Sequence, residues 1–238
     1  MVSWFGWRPK RVEIPRVIVR GDVQPPTKVD INDLTPELLP YLGQAAYCQL
    51  GAFEGLSRAV ATAPDLAAKE GLSTAAGRAL SKHQGLVTEI RRRGSEPAAE
   101  MAPFEPALDH FRQQTAGANW HELLLSCYLI GGLLDDFFIR LSDGLPRDVG
   151  SRVALLLRED AGTDVLVHEL QAAIAAEPAL GSLLAMWGRR LVGDTLLVAR
   201  SAIPGSDTTA SRESRIEPVF TELIAAHTRR MDELGLTA

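Results

Sequence analysis

Apolar positions recur at three- and four-residue intervals along most of the chain, and the pattern changes character once, near residue 35. Before that point Pro9, Pro15, Pro25 and Pro26 interrupt any register, and the β-branched run Val17-Ile18-Val19 favours an extended backbone. Residues 1–34 are therefore expected to form an extended arm, and residues 35–238 a helical domain. Thr35-Pro36-Glu37 opens the helical part with a capping hydroxyl, a first-turn proline and an acid at the positive dipole end. The spacing predicts a first helix to about residue 63, before Pro64, and a second from Asp65 to the cationic turn Arg91-Arg92-Arg93, closed by Gly94. A short helix follows over 105–114. Asn119-Trp120-His121-Glu122 has the form of a capping box and opens a helix reaching about residue 141. Shorter helices are expected over 147–159 and 164–176, and a long one from Pro178 to about 202. A loop is expected over 204–209 and a last helix over 212–235.

No strand–helix alternation and no internal repeat breaks this pattern, which excludes a solenoid and an α/β sheet. The long segments, of roughly 22–30 residues, would each span about 33–45 Å at 1.5 Å per residue. The first two are joined by only a few residues and must form an antiparallel hairpin. Longer, partly helical connections separate the later ones. The expected fold is all-α: a ferritin-like four-helix bundle with additional helices and an extended N-terminal arm.

Composition changes this picture little. The 238 residues are 46% hydrophobic and 23% charged, with a formal net charge of −5, the balance of a globular protein rather than a disordered or low-complexity one. Two cysteines, Cys48 and Cys127, are too few for a secreted disulfide scaffold and point to a cytoplasmic protein. The longest stretch without a charge, 38–53, is too short for a membrane span, and the first residues lack the apolar core of a signal peptide. The acidic balance argues against nucleic acid as a general partner. Local basic clusters remain at Arg8-Pro9-Lys10-Arg11, Arg91-Arg92-Arg93, Arg189-Arg190 and Arg229-Arg230, where cations near a helix C-terminus are the ordinary reading. Trp4, Phe5 and Trp7 place aromatics in the basic arm, where they would cover the bundle or a second subunit.

Ionisable residues on apolar stripes carry the chemical information. His83 falls on the line Leu72, Ala76, Ala79, Leu86, Ile90; Asp135 on the line Leu124, Tyr128, Gly131, Phe138; Asp194 on the line Trp187, Leu191, Val198. His227 lies within the line Phe220, Leu223, Met231, Leu234, and Glu54 borders the stripe of the first helix. A buried carboxylate is costly unless it is paired or bound to a metal, so inward carboxylates and a histidine on separate helices make a candidate metal site. The alternative keeps them structural: Glu54 pairs with Arg58, Asp135 or Asp136 binds an arginine such as Arg189 or Arg190, and His83 is a satisfied core histidine. A di-iron carboxylate bundle carries Glu-x-x-His on two helices, because that spacing puts both ligands on one face. Here Leu80, Ala107, Ala118, Val165 and Ile224 stand three residues before the five histidines. Nor is there a phosphate-binding glycine loop, a nucleophile elbow or a Cys-x-x-Cys pair.

The stretches Tyr41-Leu42-Gly43-Gln44-Ala45-Ala46-Tyr47, Asn119-Trp120-His121-Glu122 through Leu134-Asp135-Asp136-Phe137-Phe138, 187–195 and 216–223 resemble an actinobacterial family of ferritin-like proteins. That family is described as similar to the tRNA hydroxylase acting on methylthio-isopentenyl-adenosine, and the resemblance covers about residues 36–236. It implies a ferritin-like bundle and, by looser kinship, a non-haem di-iron oxygenase with iron as cofactor and a modified tRNA base as substrate. Matched helix by helix, the implied metal ligands are Glu54, His83, Asp135 (or Asp136) and Asp194. Across a hairpin turning near residue 64, Glu54 should face about Ala75, roughly two turns from His83. Two readings follow: an iron-dependent hydroxylase, or a metal-free bundle that acts as a structural or interaction protein. A homodimer is expected in either.

Overall fold

The computed structural model describes residues 37–201 and 209–238, with side chains described over 37–200 and 217–238. The expected arm at 1–34, including Trp4, Phe5 and Trp7, lies outside these residues, as does 202–208, which holds most of the expected loop. All regular structure among the described residues is helical.

Helix α1 (Leu38–Ala61) and α2 (Leu66–Arg92) form the expected hairpin. Asp65 starts α2 by accepting a hydrogen bond from the Ala68 amide at 2.9 Å, and Gly94 ends it with φ 75°, a backbone conformation that glycine adopts without strain. His83 Nδ1 donates to the Ala46 carbonyl at 2.8 Å, which sets the register of the pair and places residue 54 opposite about residue 75. Two short pieces unpredicted by periodicity, α3 (Pro97–Met101) and a 3-10 turn (Ala102–Phe104), lead through α4 (Glu105–Gln114) to α5 (Trp120–Ser142). Asn119 Oδ1 caps α5 by accepting from the Glu122 amide at 3.0 Å. The Glu122 carboxylate reaches back one residue further than a capping box requires, to the Ala118 amide at 2.6 Å. The Tyr41 hydroxyl donates to the Phe138 carbonyl at 2.6 Å and Trp120 Nε1 to the Ala59 carbonyl at 3.0 Å, so α5 runs antiparallel to α1.

The fourth wall of the bundle is broken in two. Helices α6 (Arg147–Leu157) and α7 (Asp164–Ala176) both pack on α2 and on α5. Arg152 forks onto Glu89 with two bonds of 3.0 Å, Leu156 lies against Gly85, and Val165 lies against Gly71. Residue numbers rise along α6 and α7 as they fall along α2, so the two together run antiparallel to it. The sequence pattern reads these short helices as connections, with Asp164 and His168 on a peripheral one; in the fold Leu166 and Leu170 are core residues, although Asp164 and His168 are themselves exposed. The long α8 (Pro178–Ser201) and α9 (Thr209–Glu233) pack on α5 instead, tied to it by Trp187 Nε1 to Ser126 Oγ (2.9 Å) and by Arg230 to Asp136 (2.7 Å).

The core separates into two clusters. One gathers Tyr41, Leu42, Leu86, Ile90, Phe137 and Phe138; the other Leu56, Leu72, Leu124, Leu125, Leu166 and Leu170. Each large apolar side chain so buried contributes about 1.5–3 kcal/mol. On α1 and α2, Gln49 and Lys82 fall between the two clusters.

Candidate functional site

Lys82 is the most unusual buried residue of the molecule, with 2% of its side chain exposed. It reaches the core because α2 buries the line Ala68, Leu72, Ala75, Ala79, Lys82, Leu86, which fixes the helix face against α1, α6 and α7. Its Nζ donates to Asp135 Oδ2 at 2.7 Å and to the carbonyl of Leu157, the last residue of α6, at 2.8 Å. That carbonyl belongs to the negative end of the α6 dipole and suits a cation. Gln49 Nε2 completes the cluster by donating to Asp135 Oδ1 at 2.6 Å. Burial pushes the Asp135 carboxyl above the usual carboxylate range, while the Lys82 ammonium and the Gln49 amide pull it back.

Beside this cluster lies a cavity of about 140 Å³, walled by α1, α2, α4, α5 and the link between α6 and α7. Its lining is largely apolar, with Asp135, Lys82 and Gln49 as a polar floor. Cys48 and Cys127 also line it, and burial pushes both thiols up to about 12, so neither is a nucleophile near neutrality. Toward its outer end stands Arg112, which stacks over the Tyr47 ring at 5.0 Å, bonds Asp109 and pairs with Glu54 at 3.1 Å. The neighbouring Tyr47 hydroxyl donates to Asp109 at 2.6 Å and is pushed up to about 12, by desolvation first and then by that bond.

Of the four residues implied as metal ligands, only Asp135 lines this cavity. Glu54 is exposed and paired with Arg112; His83 is bound to the Ala46 carbonyl; Asp194, on α8, lies 3.7 Å from Arg190 of its own helix. Among the described residues no three His, Cys, Asp or Glu side chains converge as a metal would require. A di-metal centre needs several carboxylates on one site, and here the carboxylate on the cavity, Asp135, already holds an ammonium at 2.7 Å, while the buried Glu89 is taken by Arg92 and Arg152. The donor chemistry of these residues does not fit such a centre.

The choice between Asp135 and Asp136 is also decided: Asp135 faces α1 and α2, whereas Asp136 pairs with Arg230 of α9 rather than with Arg189 or Arg190. The basic clusters are partly engaged internally. Arg92 bonds Glu89, Arg93 pairs with Asp148, Arg189 donates to the Thr237 carbonyl, and Arg190 lies over the Trp187 ring. Lys82 and Glu89 escaped the sequence reading. The signal was present, since Lys82 stands three residues after Ala79 and four before Leu86.

A family model for the ferritin-like domain of actinomycetes matches residues 36–211. The chain belongs to this ferritin-like family. No curated protein matches the chain. The matched span covers α1 through α8, so the family includes both the four-walled bundle and the first of the outer helices. No helix among the described residues is long and apolar enough to cross a membrane.

Proposed function

We propose that this ferritin-like protein is a metal-independent, small-molecule-binding bundle, with the Lys82–Asp135 ion pair in the bundle core, the region in which ferritin-like di-metal carboxylate proteins build their sites. One observation carries the reading: the Lys82 ammonium lies 2.7 Å from Asp135, the only acid on the cavity wall among the described residues. A divalent cation on Asp135 would have to share that carboxylate with a second positive charge in a region shielded from water, where like charges repel strongly. Gln49, an amide, meets the other carboxylate oxygen and adds no negative charge for a metal.

The competing reading is an iron-dependent oxygenase acting on a modified tRNA base. Its support is the inward Asp135 beside an apolar cavity and the kinship implied by the sequence motifs. Under that reading Glu54, His83, Asp135 and Asp194 would have to abandon their present partners and converge.

Elemental mass spectrometry separates the two. Protein purified without chelator after growth in iron-supplemented medium is expected to carry far less than one metal ion per chain, with no change in Glu54→Ala or Asp194→Ala. About two irons per chain, lost in those variants, would overturn the proposal and make a tRNA hydroxylation assay the next step.

A further inference from the structure

We infer that the cavity beside the Lys82–Asp135 pair is a binding site for a small, neutral, single-ring compound carrying one hydroxyl group, of the size of phenol. The inference rests on the reading above, in which the core charge is balanced by Lys82.

Three observations define the ligand. The first is size: the cavity measures about 140 Å³, and an apolar protein cavity of roughly 150 Å³ accepts one benzene ring. Ala52, Leu56, Ala79, Phe111 and Ile130 give it apolar walls. The second is charge. Lys82 and Asp135 neutralise each other; of the two arginines on the lining, Arg58 is exposed and Arg112 is already paired with Glu54 and Asp109, so an ionised group carried to the inner end beside Asp135 would lose its hydration without gaining an unpaired counter-charge. A neutral ligand avoids that cost.

The third is an unused acceptor capacity. Each carboxylate oxygen of Asp135 has two lone-pair directions, and the structure gives one neighbour to each: Gln49 at Oδ1 and Lys82 at Oδ2. Asp135 lines the cavity and keeps 15% of its side chain exposed, so a hydroxyl entering there has an oxygen to donate to. Lys82, by contrast, spends two of its three donors on Asp135 and Leu157 and is almost fully covered.

Gly131 shows how the space is kept open. It lies mid-helix in α5 on the cavity lining, and a Cβ built there meets nothing within 4 Å. The facing glycines of α1 differ: a Cβ on Gly51 would strike Arg112 at 2.5 Å, and one on Gly55 would approach Cys127 Sγ at 3.2 Å. Residue 131 is therefore the glycine whose enlargement fills the cavity without displacing a neighbour.

The test is calorimetric titration of the full chain with phenol, benzene and benzoate, on protein whose metal content has been measured. Phenol is expected to bind one site per chain, about tenfold more tightly than benzene for the hydrogen bond it adds, with benzoate weaker than either. Gly131→Leu is expected to lower phenol affinity by at least about tenfold while leaving the helical circular dichroism unchanged; Ala52→Leu serves as the second filling variant if the first fails to fold. No uptake of phenol by metal-free wild type, or equal uptake by both filled variants, would overturn the inference. Bound iron would instead overturn the metal-independent reading, so the two failures are distinguishable.

Discussion

Replacing Lys82 by methionine keeps most of its volume and removes its charge. Two groups then lose their partner in the core: the Asp135 carboxylate, bonded at 2.7 Å, and the Leu157 carbonyl, bonded at 2.8 Å. Removing one member of a buried pair costs about 3–5 kcal/mol, because the surviving charge stays desolvated. The unpaired carbonyl adds about 1 kcal/mol or more. Asp135 can relieve part of this by taking up a proton, and its remaining bond to Gln49 and its 15% exposure moderate the rest, so a total near 3–4 kcal/mol is expected at pH 7. For a chain of this length each kcal/mol lowers Tm by about 2–4 °C.

The double variant Lys82→Met/Asp135→Leu removes both charges and should recover most of the loss, since well-packed apolar replacements of buried pairs are often neutral or stabilising. The assay is urea unfolding followed by far-UV circular dichroism for the wild type, both single variants and the double. The single variant should also lose less stability at pH 5 than at pH 8, because the lone Asp135 is then more often protonated. A loss below about 1 kcal/mol for Lys82→Met, or a double variant as unstable as the sum of the singles, would refute the assignment of this pair as the coupled centre of the core.

Two further outcomes follow from the packing. A Cβ on Gly43 would sit inside the Glu100 backbone carbonyl, which cannot swing aside as a side chain can; Gly43→Ala should cost about 1–3 kcal/mol by thermal unfolding, and an unchanged Tm would contradict the close approach of α1 and α3. His227 is 3% exposed with neither ring nitrogen bonded among the described residues, and burial first, then Arg230, holds it below the usual histidine range. The unfolded chain therefore binds this proton more readily than the folded one, so its contribution is complete above about pH 6.5 and is lost as pH falls below that value. The stability difference between wild type and His227→Leu, measured from pH 7.5 to 5, should move in favour of the variant on acidification; a constant difference would exclude the buried neutral ring.

The hydrophobic period alone determined that the regular structure of the described residues is helical. Local signals such as Asp65 and Asn119 at helix starts and Gly94 at a helix end fixed its boundaries to within a few residues, because capping depends on neighbouring atoms and not on the fold. The hairpin register was also legible, since a three- or four-residue turn leaves little freedom in which residues of α1 and α2 oppose each other. Two things were decided only by tertiary structure. The first is which residue of α2 enters the core. Lys82 and His83 are one helical step, about 100°, apart, and the apolar stripe is wide enough to run through either. What selects Lys82 is the presence of Asp135 and the Leu157 carbonyl on other helices, which makes burial of an ammonium tolerable. The second is which helix forms the fourth wall. Matching the resemblance helix by helix makes α8, which carries Asp194, the fourth, yet the interrupted α6–α7 pair fills the place beside α2. The sequence period reports how much of a helix is buried, and only the packing of the whole chain says against what.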